Sequence, residues 1–168
     1  MIVFIAAHDQ NFAIGNKGHL PWRHARMQDD TKRLHKLANG KTLVMGERTY
    51  HDYRDVRRAF STDKVIVISR SLQTLPDAEV VNDIEEIITR AQQEELWVIG
   101  GGSIFLQLLP YVDIMYLTQI EHLFSNADTF FPKYNKEDWN VVEEQTFPAD
   151  ARNPFPFTFL TLQRRSKQ

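Results

Sequence analysis

The stretch Leu96-Trp97-Val98-Ile99-Gly100-Gly101-Gly102-Ser103-Ile104-Phe105 decides the fold. Four apolar residues run into three glycines, and a short apolar-patterned segment then continues to Pro110. The pattern predicts a buried strand, a turn without side chains, and a helix whose first N–H groups are open. The chain has seven glycines and places three of them here. Without a Cβ, backbone approaches a neighbour closely or takes conformations closed to other residues. On this stretch alone two readings are equal: a phosphate or flat ring against the turn, or a tight strand-to-helix corner.

The flanking sequence supplies more units of the same kind. A strand is predicted over residues 2–7, followed by a long loop to Trp22 punctuated by Gly15, Gly18 and Pro21. A loop of that length in a compact domain is usually functional. A helix over residues 29–38 ends at Asn39-Gly40, and a strand over 41–45 runs into Gly46-Glu47-Arg48-Thr49, which opens another helix. Val65–Ile68 is a β-branched run suited to burial on both faces. A short strand at 79–81 precedes Asn82-Asp83-Ile84-Glu85, a capping-box pattern that starts a helix to about residue 92. A strand over 112–120 and a loop over 121–132 follow, and residues 139–147 and 155–162 alternate with period two, as an antiparallel pair does. The expected architecture is one α/β domain over residues 1–168. It is a mainly parallel, doubly wound sheet with helices on both faces and a C-terminal antiparallel hairpin at the edge.

Composition narrows the function classes. Twenty basic against twenty-two acidic side chains leave a formal charge of −2, so no global field attracts nucleic acid or an anionic membrane. There is no cysteine, which excludes disulfides, thiolate nucleophiles and cysteine-ligated metals. The apolar start gives way to His8-Asp9-Gln10 too early for a signal peptide or a membrane span, and a cytoplasmic location is the expectation. The six histidines show no metal-like grouping, and Ser69 and Ser103 have no identifiable base. The cluster Arg23, His24, Arg26, Lys32, Arg33 and Lys36 reads as a solvated rim.

The first helix carries the best chemical candidate. Asp29 and Asp30 are adjacent and cannot share a face. Asp29 falls with Lys32, Arg33 and Lys36 on a polar stripe, whereas Asp30 falls with Met27, Leu34 and Leu37 on the apolar one. A carboxylate on a buried stripe is costly unless it is paired or used. The bland alternative is that Asp30 caps the helix.

Several segments together resemble the dihydrofolate reductase family. They are Ile5-Ala6-Ala7, Ile14-Gly15-Asn16-Lys17-Gly18-His19-Leu20-Pro21-Trp22 followed by an acid on the next helix, and Met45-Gly46 with Thr49-Tyr50. Val67-Ile68-Ser69-Arg70, Ile99-Gly100-Gly101-Gly102, Tyr116-Leu117-Thr118 and Asp128-Thr129-Phe130-Phe131-Pro132 complete the series. The segments span nearly the whole chain in the family's order.

The resemblance implies NADPH-dependent reduction of 7,8-dihydrofolate to tetrahydrofolate by a monomer. Asp30 would hold the pterin amino group and N3 and promote protonation at N5, with Thr118 bonded to that carboxylate or to the pterin. Ile5, Ala6, Ala7 and Leu34 would line the ring pocket. The loop from Ile14 through Gly15 and Gly18 to Trp22 would close over the nicotinamide, with Leu20 against the ring and Trp22 contacting ordered water. A cis peptide would join Gly100 to Gly101. The helix starts at Gly46–Thr49 and Gly101–Ile104, with Ile99, Gly102 and Ser103, would hold the pyrophosphate. Arg48, Ser69 and Arg70 would meet the adenosine 2′-phosphate. Ala7 would also border the cofactor.

The chain departs from the family at identifiable positions. Arg23-His24-Ala25-Arg26-Met27-Gln28 replaces a second Leu-Pro, and the acid comes about three residues late; counting back from Met45-Gly46 keeps Asp30 in register. Leu34 replaces a phenylalanine, Phe105 a tyrosine beside the nicotinamide, and Glu47 an arginine. Asp63 stands where an arginine grips the substrate's glutamate carboxylate, which leaves Arg57 and Arg58 as the candidates for that charge. Two alternatives are another pterin or pyrimidine reductase of this fold and a non-catalytic NADP-binding module.

Overall fold

Alternation along four central strands divides the core in two. In β1 (Ile2–His8), β3 (Thr42–Gly46), β4 (Val65–Ile68) and β6 (Leu96–Gly100), successive side chains point to opposite faces of one sheet. Phe4, Val44, Ile66 and Val98 pack on one face with Ile84 and Ile87 of α4 (Ile84–Arg90) and with Ile104 and Leu108 of α5 (Gly102–Leu108). Val3, Leu43, Met45 and Val67 pack on the other with Leu34, Leu37 and Ala38 of α1 (Gln28–Ala38). The computed structural model describes residues 1–166 except Arg54, Asp55 and Asp63, and gives the backbone alone for Val56 and Arg57.

The sheet has eight strands, completed by β5 (Glu79–Val81), β7 (Ile114–Ile120), β9 (Trp139–Phe147) and β10 (Phe157–Arg164). Their order is β5-β4-β3-β6-β1-β7-β10-β9. The pairs from β5 to β7 are parallel, and β10 runs against both β7 and β9. The edge hairpin is therefore entered from its second strand. β10 buries Phe157, Leu160, Thr161 and Leu162 and sits inside, whereas β9 is exposed from Asn140 to Thr146 and forms the edge. Two short helices, α2 (Glu47–Asp52) and α3 (Val56–Ala59), follow β3.

The loop after β1 is more ordered than its glycines suggest. β2 (Ala13–Gly15) pairs with β8 (Thr129–Phe130), a two-stranded ribbon inside segments that read as loops. Asp9, 1% exposed, holds it: one carboxylate oxygen accepts from the N–H groups of Asn11 and Ala13 at 2.8 Å, the other from Phe124 at 2.9 Å. Farther along, Asp128 donates its N–H to the Gly15 carbonyl at 2.9 Å and accepts from the Lys17 N–H at 2.8 Å. No local pattern announces either contact, because each joins backbone to a carboxylate more than a hundred residues away.

Gly102 is the tightest point of the glycine corner. A Cβ there would lie 2.9 Å from Thr129 Cγ2 and 3.0 Å from the Phe130 carbonyl oxygen. Backbone cannot swing aside as a side chain can, so Gly102→Ala is expected to destabilise the protein by about 1–3 kcal/mol. A urea midpoint equal to that of the parent would contradict this.

Candidate active site

Parallel pairing carries the ends of β1, β3, β4, β6 and β7 to one edge of the sheet, where α/β sheets take their ligands. In the β1–β7 ladder Ala7 lies opposite Thr118, which is 2% exposed. The Thr118 hydroxyl donates to the carboxylate of Asp30, on the first turn of α1. Burial pushes the Asp30 carboxyl up from its ordinary range, and the bond from Thr118 and the charge of Arg33 only partly oppose it. Ile5 is buried beside Leu34 and Tyr53 in the cluster below α1. The Tyr53 phenol is pushed up to about 12 by its own burial, then by the charges of Asp30 and Asp52. Tyr53 was not read from the sequence; it follows α2 with no pattern to mark its direction. Ala6, as alternation requires, turns to the opposite cluster from Ile5, and Ala7 packs with the Trp22 cluster.

The two acids of α1 do separate by face. Asp29 turns away and accepts from Asn153 Nδ2 at 2.9 Å and from Arg152 at 3.3 Å. Arg33 corrects the stripe reading. Its side chain is 12% exposed, donates to the Leu117 carbonyl at 2.9 Å and to Thr161 Oγ1 at 3.2 Å, and lies 4.4 Å over the Phe159 ring. The long arginine stem reaches β7 and β10, which its helical position alone would miss.

On the other side of β1 the glycine corner meets β3. Gly100 and Gly101 are joined by a cis peptide, and Gly100 has φ +143°. Met45 pairs with Gly100, and Cβ atoms at Gly100 and Gly101 would stand 3.1 and 3.3 Å from Thr49 Oγ1. A Cβ at Gly46 would meet Ile104 Cγ1 at 3.2 Å. Gly46, Thr49, Gly100, Gly101, Gly102 and Ile104 thus form one continuous surface, with Ser103 exposed on its rim and Ile99 half-buried behind it. Phe105 faces inward, its ring 4.9 Å from Phe4 and 5.0 Å from Phe131.

The glycine loop borders the same edge. Ile14 and Gly15 lie in β2, and Gly18 (φ +83°) makes a turn closed by hydrogen bonds between Asn16 and His19 at 2.7 and 3.0 Å. Leu20 beyond it is 50% exposed, whereas Trp22 is buried against Phe124, anchoring the far end. Arg48 is exposed and acts on the carboxylate of Asp128; Arg70 is exposed at the end of β4. Ser69 is buried and gives its one hydroxyl proton to Glu47 at 2.6 Å, a pairing the sequence did not reveal. Arg58 is exposed on α3. The Arg57 side chain and Asp63 lie outside the described residues.

A half-buried acid on a helix and a side-chain-free corner at the same edge of the sheet fit an α/β oxidoreductase of the dinucleotide-dependent class. A family model described as dihydrofolate reductase matches residues 1–164. A dihydrofolate reductase of Bacillus subtilis is 30% identical over 172 residues, covering 99% of this chain and 96% of that one. One of Staphylococcus aureus is 34% identical over 161 residues and covers 96% of each. A solved dihydrofolate reductase from Enterococcus faecalis, complexed with NADP(H) and RAB-propyl, superposes with a TM-score of 0.86 at 27% identity over 99% of this chain and 97% of that one. The chain belongs to the dihydrofolate reductase family.

The raised Asp30 carboxyl has a cost in stability. The folded protein binds that proton more tightly than the unfolded chain, so the site destabilises the fold increasingly as pH rises from the ordinary carboxylate range through the raised value. Asp30→Asn is therefore expected to be more stable than the parent at about pH 7, with the advantage shrinking by about pH 4. Urea titrations at both pH values measure it; an advantage independent of pH would contradict the origin assigned to it.

Proposed function

We infer that this protein reduces 7,8-dihydrofolate to 5,6,7,8-tetrahydrofolate with NADPH, serving one-carbon metabolism. The observation that carries the mechanism is the Asp30 carboxyl, bonded to Thr118 and raised by burial. Going from the 7,8-dihydro to the 5,6,7,8-tetrahydro ring adds hydrogen at C6 and N5. NADPH, when bound, supplies the hydride. Asp30 holds the pterin amino group and N3 and promotes protonation at N5; a carboxyl raised by burial above its ordinary range suits that task. Ile5, Ala7 and Leu34 supply an apolar floor for the flat ring, and Ala6 completes the strand beneath it.

The residues present fit the cofactor. The backbone of Gly46 and Gly100–Gly102 is free of side chains at two adjacent strand ends, where N–H groups can approach a pyrophosphate. Arg48 and Arg70 bring positive charge to the same side for the 2′-phosphate. Leu20 and the loop from Ile14 to Trp22 exclude water over the nicotinamide. Arg58 is the described candidate for the substrate's carboxylate. The whole chain works as one domain, as a monomer, in the cytoplasm; among the described residues no helix is long and apolar enough to cross a membrane.

Loss of absorbance at 340 nm with NADPH and dihydrofolate, run beside dihydrobiopterin, tests the activity; no oxidation with dihydrofolate would overturn it. Asp30→Asn is expected to lose most activity near neutral pH, by about a hundredfold or more. Asp29→Asn is expected to keep most of it, because that carboxylate serves Asn153 and Arg152. Comparable losses would place the acid on the wrong face.

A further inference from the structure

Glu47 is the first residue of α2, directly after Gly46, and its carboxylate is locked to the tip of the next strand. Oε2 accepts from Ser69 Oγ at 2.6 Å and from Ser71 Oγ at 3.1 Å. The receiving loop is itself fixed. Ser69 donates its N–H to the Val81 carbonyl at 3.0 Å, and Asn82 Nδ2 donates to the carbonyls of Ser69 at 2.6 Å and Leu72 at 3.0 Å. The two hydroxyl bonds hold the Glu47 carboxyl below the usual range, so it is ionised at neutral pH. Its side chain is 36% exposed and open to a ligand. His51 Nε2 lies 4.0 Å from Oε1, and Arg48 and Arg70 are its other charged neighbours along the chain segments that form the cluster.

Strand order locates this cluster on a bound dinucleotide. From Asp30 and Thr118 the strand ends run in the order β7, β1, β6, β3, β4, at about 4.8 Å per step. With the reacting ring beside β1 and the pyrophosphate over the β6–β3 glycines, the adenosine ribose falls at the β3–β4 tips, on Glu47, Ser69 and Ser71. This placement rests on the cofactor reading above. A carboxylate at that ribose accepts a hydrogen bond from a free 2′-hydroxyl, whereas a 2′-phosphate calls for arginine. The site contains both signs. Ser69 cannot donate to a phosphate while its proton is given to Glu47.

We propose that Glu47 is a specificity-determining residue: the Glu47–Ser69–Ser71 cluster receives the ribose 2′-hydroxyl and works against the 2′-phosphate, narrowing the preference for NADPH over NADH. Arg48 and Arg70 favour the phosphate against it, and the balance of the two sets the cofactor ratio.

The test compares the parent with Glu47→Gln, which keeps the shape and removes the charge. Dissociation constants for NADPH and NADH are measured by fluorescence, together with kcat/KM for each with dihydrofolate. Removing the charge is expected to raise the NADPH:NADH affinity ratio by at least about fivefold at low salt, the factor that one like-charge contact in solvent supplies. The gain should shrink at high salt as screening sets in. A ratio unchanged within about twofold of the parent's, or a change indifferent to salt, would overturn the proposal. The binding ratio needs no turnover, so absence of dihydrofolate reduction would overturn the substrate assignment while leaving the role of Glu47 readable.

Discussion

Strand β1 is hydrogen-bonded to a parallel neighbour on each side, and the register of those two ladders sets where the functional groups stand. Val3 and Phe4 pair with Trp97 and Val98 on one side and with Ile114 and Met115 on the other. Continued to the carboxyl ends, the same registers bring Thr118 beside Ala7 and leave the glycine corner of β6 across from it. A shift of one residue in β1 would turn Ile5 out of the cluster it shares with Leu34 and Tyr53 and Ala6 into it. The acid of α1 depends on this too. Asp30 is stabilised by a hydroxyl that β7 delivers, so the position of α1 is useful only with the ladder in place.

Two carboxylates at the site's edge do structural work of the opposite kind. Asp9 and Asp128 accept backbone N–H groups and convert a glycine-punctuated loop into a ribbon paired with residues 129–130. Buried backbone donors left without partners are expensive, and the Asp9 carboxylate satisfies three N–H groups at once. The loop that carries Leu20 is thereby tethered at both ends, by this ribbon before it and by buried Trp22 after it. Between them lies the half-exposed stretch free to meet a ligand.

The tips of β3 and β4 carry a hydrogen-bonded cluster at the surface. Glu47 places a negative charge at a helix start, where the backbone itself tolerates an acid well. The hydroxyls of Ser69 and Ser71 both donate to that carboxylate.

What the sequence by itself determined is what repeats over short distances. The β-branched run Val65–Ile68, the period-two pattern of β9 and β10 and the strand entering three glycines define an α/β sheet with an antiparallel edge. The helical face of α1 separates Asp30 from Asp29, because a one-residue step rotates a side chain by about 100°. Tertiary structure alone decided the contacts between segments far apart in the chain: Arg33 drawn from a polar stripe onto Leu117 and Phe159, Asp9 turned inward to Phe124, β10 placed inside β9, and Glu47 joined to Ser69. The physical reason is common to all four. Periodicity states which face of an element is apolar, whereas the partner of a polar group is set by which strands become neighbours, and that is known only when the sheet has closed.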